Sequence, residues 1–238
     1  MSVSSQLSKE KLLEAYRLMR TIREFEERLH VEFATGEIPG FVHLYAGEEA
    51  SAVGTMLHLS DVDYVATTHR GHGHCIAKGV DVRGMMAEIY GRRTGVCHGK
   101  GGSMHIADRA SGFGMPGVIV DGFDFFAVHE ALGEAIERAR GGGGPTLVEV
   151  KLSRYFGHFE GDAQTYRAPG EVQKLRDEKD CLKRFEERVV RAEMLTSDEL
   201  RGIDATVQKL IEESVVAAKA APLPTAEDLM SDVYVSYP

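Results

Sequence analysis

The stretch THRGHGHCIAKG, residues 68–79, places three histidines, an arginine and a cysteine among three glycines. Histidine and cysteine are zinc ligands, but zinc sites usually combine two spaced ligand pairs or two histidines four residues apart on a helix. Neither spacing is present here. A metal site on residues 69–75, an anion site and a polar turn are therefore the three alternatives for this stretch.

The same stretch has the features of an anion-binding loop. A loop that enters a helix exposes free backbone N–H groups, and the helix dipole favours negative charge at that end. Gly71 and Gly73 allow a ligand to approach the backbone, Arg70 can donate two hydrogen bonds to phosphate oxygens, and His69 can add another. A glycine-histidine turn that only joins two elements explains the local sequence equally well.

A second polar stretch, SRYFGHFEGDAQTYR, covers residues 153–167 and directly follows a predicted strand. Ligands bind at the carboxyl ends of parallel strands, and a histidine in such a loop can act as an acid or base. A solvated polar loop is the alternative, and the local sequence alone favours it. The residues that could do chemistry here are Arg154, His158, Glu160, Asp162, Tyr166 and Arg167.

Apolar periodicity predicts an α/β chain with helical ends. Two predicted strands flank a predicted helix, which makes a βαβ unit and therefore a parallel sheet. The first of these strands is an apolar run and is expected to be buried. Predicted helices cover residues 9–34, 48–59, 73–79, 81–93, 124–140, 171–195 and 197–221, and predicted strands cover 63–69, 115–122 and 145–155.

Composition limits the classes of protein that this chain can belong to. Its 238 residues are enough for one large domain, and the net charge of −9 argues against a nucleic-acid partner. No apolar run has the length of a membrane span, and the first 20 residues lack the apolar core of a signal peptide. Cys75, Cys97 and Cys181 form no disulfide framework. We therefore expect a cytoplasmic protein without a membrane or nucleic-acid partner.

Four stretches in order give the chain a family resemblance: GFVHLYAGEEASAVG, THRGHGHCIAKGVD, GKGGSMHIAD and SRYFGHFEGDAQTYR. Together they resemble the α subunit of the thiamine-diphosphate-dependent first component of 2-oxo acid dehydrogenase complexes. The histidine-rich stretch most resembles the acetoin dehydrogenase branch, because pyruvate-type α subunits more often carry tyrosine at the position of His69. The resemblance extends over nearly the whole chain.

The resemblance implies a single parallel αβα sandwich, here residues 1–238, with helical extensions at both ends. It implies an assembly of two α and two β chains that binds thiamine diphosphate and Mg²⁺ at the α–β interface. The reaction it implies cleaves the substrate next to its carbonyl group. The acyl or hydroxyalkyl product then passes to the lipoyl group of an acyltransferase component.

Individual residues take their expected roles from this resemblance. Arg70 and His69 match diphosphate-binding positions, and His43 belongs to the motif that lines the same cleft. His158 matches the loop histidine near the reacting carbon, which gives it the expected catalytic role of handling protons. Arg154 matches the framework of that loop and is expected to contribute to cofactor binding.

The chain departs from the family pattern at the metal site. The resembled family binds Mg²⁺ through Gly-Asp-Gly and a later asparagine, but this sequence has neither that tripeptide nor any asparagine. Hard oxygen ligands of this kind suit Mg²⁺, so we assign no metal ligand in this chain. The family pattern stops at Asp108 and resumes with RASGFGMPGVIVDG, residues 109–122, which predicts a discontinuity near 108–111 and the loss of the central strands.

The sequence therefore predicts an acetoin-type or 2-oxo-acid-type dehydrogenase α subunit, and two alternatives remain. One is a non-catalytic or truncated assembly subunit that keeps the β-chain interface without binding cofactor. The other is a metal hydrolase that uses the histidines and cysteine of residues 69–75. The activity of the 238-residue chain itself stays open at this point.

Overall fold

The computed structural model describes residues 7–60, 63, 65–99, 116–226 and 228. A single hydrophobic cluster joins most of its helices. None of the described helices combines the length and apolar character needed to cross a bilayer. The helices are α1 (Lys9–Phe33), α2 (Glu49–Met56), α3 (His72–Ala77), α4 (Val82–Ile89), α5 (Phe125–Arg140), α6 (Glu171–Glu178), α7 (Cys181–Arg191) and α8 (Ser197–Ala220).

The two long helices α1 and α8 pack against each other. Ser8 caps α1 by accepting a hydrogen bond from the backbone N–H of Lys11. Thr196 and Glu199 form the predicted capping box at the start of α8. The apolar stripe predicted on α1 is fully buried at Leu12, Ala15, Met19, Ile22, Phe25 and Leu29.

The predicted βαβ unit is confirmed. Strand β1 (Gly117–Asp121) pairs in parallel with β2 (Leu147–Lys151), and the crossover between them contains α5. The register runs from Gly117 opposite Leu147 to Asp121 opposite Lys151. The α/β class with a parallel sheet is therefore correct, and in the described part of the chain that sheet has two strands.

Two sequence predictions about strands are wrong. The first strand was expected to be buried, yet the side chain of Ile119 in β1 is 66% exposed, because no further described strand or helix covers that side of the sheet. Residues 65–69, predicted as part of a strand, are irregular. An extended segment becomes a strand only when a neighbour accepts its backbone hydrogen bonds, and no described strand lies beside this one.

The long helical segment predicted over residues 171–195 is divided into α6 and α7. Asp180 separates the two helices, since its carboxylate accepts a hydrogen bond from the backbone N–H of Leu182 and caps α7. This break places the start of α7 beside α1 and α2, where its first residues join a buried network of charged side chains.

Candidate functional site

Three chain segments meet at the candidate site: residues 42–47 before α2, residues 65–71 before α3, and the loop 153–167 after β2. The loop runs along the first segment, because the N–H of Tyr155 donates to the carbonyl of Ala46 at 2.9 Å and that of Glu160 to Val42 at 3.0 Å. Two of the stretches that the sequence analysis singled out therefore lie side by side.

Glycines allow the close approach of these segments. Gly47 has a φ of +98°, and a Cβ there would lie 2.8 Å from the carbonyl oxygen of Ser153. A Cβ on Gly73 would overlap the ring of Tyr45. Gly47 is therefore required by its backbone conformation and by packing, and Gly73 is required by packing alone.

Three histidines converge where the segments meet. The ring centroids of His43 and His69 lie 4.7 Å apart, those of His69 and His158 5.1 Å, and those of His43 and His158 5.3 Å. His43 is buried, His69 is half-buried and His158 is exposed. The cluster therefore extends from the interior of the protein to solvent.

Arg70 connects the same segments. Its guanidinium donates one hydrogen bond to the carbonyl of Leu44 and another, at 2.6 Å, to the carbonyl of His158. Nη2 also lies 3.5 Å from Nδ1 of His158. Burial lowers the pKa of Arg70, while the nearby carboxylate of Glu48 acts in the opposite direction. Arg70 is thus both a structural link and a positive charge at the histidine cluster.

A short chain of hydrogen bonds fixes the conformation of the histidine loop. Arg154 donates to the hydroxyl of Tyr166, which in turn donates to Oδ2 of Asp162 at 2.6 Å. The same carboxylate accepts from the backbone N–H of His158 at 2.7 Å. These donors, with Tyr166 contributing most, lower the pKa of Asp162 to about 2. Asp162 is therefore an ionised structural anchor that orients the backbone at His158.

Glu48 is a site residue that the sequence analysis missed. It directly precedes α2, and burial raises its pKa to about 7 although the positive charges of Arg70 and Arg154 favour the carboxylate. A carboxyl group with this pKa changes its protonation state near neutral pH. Its position beside Glu49 in AGEEA carried no signal that separated it from an ordinary helix-start acid.

A buried network of ion pairs packs against the histidine loop of residues 153–167. Arg23 on α1 forms ion pairs with Glu49 at 2.6 Å and Asp180 at 2.7 Å, and Cys181 donates to Glu49 at 3.3 Å. The guanidinium of Arg23 also stacks 4.8 Å from the ring centre of Tyr155 in the histidine loop. The network joins α1, α2, α7 and that loop into one unit.

The sequence contained one signal for this network. Arg23 and Glu26 lie four residues after Met19 and Ile22, so both charged side chains fall on the buried side of α1. Glu26 is fully buried and forms a 2.9 Å pair with Nδ1 of His72. A charged residue at a core position of a helix normally has a buried partner.

The structure does not bring residues 69–75 together as a metal site. His72 pairs with Glu26, whereas Nδ1 of His74 lies 2.8 Å from the hydroxyl of Thr67. Burial raises the pKa of the Cys75 thiol, which disfavours the thiolate that binds metals. Only His69 of this stretch joins the described cluster with His43 and His158, so the proposed ligand set of the hydrolase alternative is not supported.

Comparisons with known proteins match nearly the whole chain to one protein family. A family model described as "Dehydrogenase E1 component" matches residues 17–109 and 105–227. The α subunit of acetoin:2,6-dichlorophenolindophenol oxidoreductase from Cupriavidus necator is 47% identical, with 99% of this chain and 98% of the relative covered. The same subunit from Bacillus subtilis is 38% identical, with 97% and 96% covered.

A further relative carries a different name. The α subunit of the pyruvate dehydrogenase E1 component from Rhizobium meliloti is 31% identical, with 96% of this chain and 91% of the relative covered. The alignment to the Cupriavidus protein runs over 325 residues, although this chain has 238. Part of that relative therefore has no counterpart here.

Proposed function

Because the chain belongs to the dehydrogenase E1 component family, we propose that it is the α subunit of a thiamine-diphosphate-dependent acetoin dehydrogenase. The substrate is cleaved next to its carbonyl group, and the acyl or hydroxyalkyl product passes to a lipoyl group of an acyltransferase component. Acetoin is favoured over pyruvate because the two acetoin relatives are 47% and 38% identical, against 31% for the pyruvate relative.

The convergence of Arg70 with His43, His69 and His158 is the single observation that carries this proposal. Diphosphate is a polyanion, and a guanidinium with several imidazoles provides donors that suit it. Nε of Arg154 is buried and has no hydrogen-bond partner among the described residues, so it retains a donor for a ligand. The residues therefore fit the anionic part of thiamine diphosphate.

The cofactor, when bound, supplies a carbanion that attacks carbonyl groups. His158 is exposed at the mouth of the cluster, and Asp162 and Arg70 hold its backbone on both sides. We assign it the transfer of protons to and from the substrate oxygen. His43, His69, Arg70 and Arg154 hold the diphosphate.

The described residues do not fit Mg²⁺. This ion requires oxygen ligands in near-octahedral geometry. Asp162 already accepts hydrogen bonds from Tyr166, His158 and Gln164. Glu48 lies near Arg70 and Arg154, whose positive charges would repel a bound cation. We therefore derive no step through Mg²⁺ in this chain.

An interruption of the family pattern explains the missing ligands. The two ranges matched by the family model meet at residues 105–109, which supports a discontinuity near 108–111. Those residues lie outside the part of the chain that the structure describes. The same observation favours the alternative of an assembly subunit that keeps its partner interface but binds cofactor weakly.

The partner in this proposal is a β subunit, in an assembly of two α and two β chains inside the cytoplasm. Co-expression followed by sedimentation tests it, and a mixed assembly is expected. Calorimetry on that assembly should show thiamine diphosphate binding that does not strengthen when Mg²⁺ is added. Strong Mg²⁺ dependence would contradict our account of the metal ligands, and a chain that neither joins a β subunit nor binds cofactor would refute the proposed function.

A further inference from the structure

We propose that the segment after α2 and one face of α5 form a site for a zinc-type transition metal ion, with His58, His129 and Glu137 as its ligands. These three side chains line one cavity of about 360 Å³, which shares no lining residue with the candidate functional site. Two imidazoles and one carboxylate are a known ligand set of open zinc sites. The inference goes beyond the proposed function and does not depend on thiamine diphosphate binding.

The hydrogen bonding of His58 leaves one of its ring nitrogens ready for a metal ion. Its Nε2 lies 2.7 Å from the backbone carbonyl oxygen of His129. Because a carbonyl oxygen can only accept, Nε2 carries the proton and Nδ1 keeps its lone pair. Metal-binding histidines usually donate their other ring N–H to a group of this kind, which fixes the ring orientation. His58 therefore already has the tautomer of a metal ligand.

His129 supplies the second imidazole. Its ring centre lies 3.9 Å from that of His58, and its ring nitrogens have no hydrogen-bond partner among the residues that the structure describes. Burial, with the nearby charge of His58, lowers the pKa of His129 to about 4, and burial also lowers the pKa of His58. Both rings are therefore neutral near neutral pH, which is the form that binds metal ions.

A glycine in the interior of α5 allows the His58 ring to lie against the helix. A Cβ on Gly133 would lie 2.8 Å from Cε1 of His58, which is closer than side chains tolerate. Glycine in a helix interior is about 1 kcal/mol less favourable than alanine. The helix is therefore weakened at the position where the imidazole approaches it, and the cavity forms around that approach.

Glu137 lies one turn beyond this glycine, because positions 129, 133 and 137 of α5 are each four residues apart and share one face. Helical side chains lean toward the N-terminus, so Glu137 leans toward Gly133 and the His58 ring. Its negative charge acts on His58 and favours the protonated imidazole. The donor atoms of the three ligands do not all lie within 4.8 Å of one another, so the exposed Glu137 side chain must rotate to close the site.

The charges around the cavity favour a cation. Glu130 and Glu134 also line it, and with Glu137 they bring three carboxylates that form no ion pair in the described part of the chain. The nearby cations Lys11 and Arg140 are each paired with another carboxylate. Imidazole ligands select zinc-type ions, whereas Mg²⁺ and Ca²⁺ prefer oxygen ligands alone. A bound ion would join the end of α2 to α5 and so stabilise the folded chain.

Calorimetry of the tag-free chain with Zn²⁺ tests the site. The background is Cys97→Ser with His158→Ala, which removes an exposed thiol and one member of the other close histidine group. We expect one Zn²⁺ per chain, no competition from Mg²⁺, and a higher melting temperature when Zn²⁺ is added. Glu137→Gln should weaken Zn²⁺ binding by at least about 10–100-fold, the effect of losing even an outer-shell partner.

Glu178→Gln is the matched control, because Glu178 is an exposed glutamate on α6 that does not line the cavity. Its Zn²⁺ affinity should equal that of the background. Glu137 is exposed and has no ion pair among the described residues, so Glu137→Gln should fold normally, and an unchanged melting temperature without Zn²⁺ verifies this. Equal Zn²⁺ affinity in Glu137→Gln and Glu178→Gln, or no Zn²⁺ binding by the background protein, would overturn the proposal.

Gly133→Ala tests the histidine half of the site. Alanine favours the helix, but its Cβ would displace the His58 ring, so Zn²⁺ binding should weaken while α5 stays helical. Circular dichroism verifies the helix content, and calorimetry measures the affinity. Unchanged Zn²⁺ affinity in this variant would contradict the place of His58 in the site and so the proposal.

Discussion

Arg70 links segments of the site, and we propose that it also binds the diphosphate; a substitution that keeps its charge can separate the two roles. Its hydrogen bonds to the carbonyls of Leu44 and His158 hold the site together, and its charge is available to a polyanion. Lysine keeps the charge but lacks the planar fork, so Arg70→Lys should retain more ligand affinity than Arg70→Ala.

We expect Arg70→Ala to weaken thiamine diphosphate binding by about 1.5–3 kcal/mol, the worth of a hydrogen bond to a charged group. This corresponds to roughly a 10–150-fold higher dissociation constant. Calorimetry on the assembly with the β subunit measures it. Arg83→Ala is the control, because Arg83 is exposed and forms a surface ion pair with Glu213. An unchanged dissociation constant in Arg70→Ala would remove Arg70 from the cofactor site.

His158 is expected to affect turnover more than binding. General acid–base catalysis contributes about 10²–10⁴-fold, so His158→Ala should lower turnover by that factor while cofactor affinity changes little. The measurement uses a chain in which the unmatched block of the Cupriavidus relative is restored, together with the β subunit. His98→Ala provides the reference, and turnover equal to that reference would argue against the catalytic role.

At the level of elements, the Arg23 network joins three helices, α1, α2 and α7, with the histidine loop, which are distant in sequence. Arg23 and Glu49 are both buried, so removal of one partner leaves an uncompensated charge in the interior. The network therefore fixes the positions of α2 and the histidine loop relative to α1.

Arg23→Ala should lower the free energy of unfolding by about 3–5 kcal/mol, which is the usual cost of breaking a buried ion pair. Arg201→Ala removes an exposed pair with Asp198 and should change that free energy by less than about 1 kcal/mol. Urea denaturation of both variants measures the difference. Equal destabilisation by the two substitutions would show that the buried network adds nothing.

Glu32 links α1 with α4 and α8. Burial alone would raise its pKa, but hydrogen bonds from Lys219, Tyr90 and Arg28 outweigh burial and lower the pKa to about 2. As the pH falls, the Glu32 carboxylate is therefore protonated in the unfolded chain before it is protonated in the folded chain. The resulting stabilisation is present above about pH 5 and is lost as the pH falls toward 2.

Glu32→Gln should make the fall in stability between about pH 5 and pH 2 shallower, because the variant has no carboxylate to protonate. Urea denaturation at a series of pH values follows the slope. Glu213→Gln, which alters an exposed ion pair, is the control and should keep the wild-type slope. A slope in Glu32→Gln identical to that of the control would contradict the linkage.

At the level of the whole molecule, the two-stranded sheet has a face that the described part of the chain leaves open. Ile119 is 66% exposed and Val118 is 38% exposed, although both lie in an apolar strand of a parallel sheet. Parallel sheets are normally covered on both faces. This exposure agrees with the proposal that central elements of the family fold are missing near residues 108–111.

Restoring the unmatched block of the Cupriavidus relative should cover this face. We expect the 238-residue chain to bind the hydrophobic dye ANS and the restored chain to lose most of that fluorescence, because buried apolar surface no longer accepts the dye. Ile119→Lys in the 238-residue chain should also reduce the signal, whereas Val31→Lys on α1 should not. Strong dye binding by both chains would place the exposed surface elsewhere.

The sequence by itself determined the features that depend on local spacing. The stripe on α1, the capping box at Thr196 and the βαβ unit follow from periodicity and short-range hydrogen bonds, and four ordered motifs were enough to identify the family. The roles of His43 and Arg70 as neighbours of His158 were expected only through that resemblance, because spacing along the chain says nothing about contacts across more than 80 residues.

Tertiary structure alone decided how long-range contacts change the character of single residues. Burial raises the pKa of Glu48 to about 7 even though Arg70 and Arg154 act to lower it, and the same sequence at an exposed helix start would lack this burial. The tertiary structure also places His72 beside Glu26 and His69 beside His43. One histidine of the same stretch therefore belongs to a buried pair and another to the site. The tertiary structure left β1 exposed as well, because burial of a strand depends on which neighbours are present and not on how apolar the strand is.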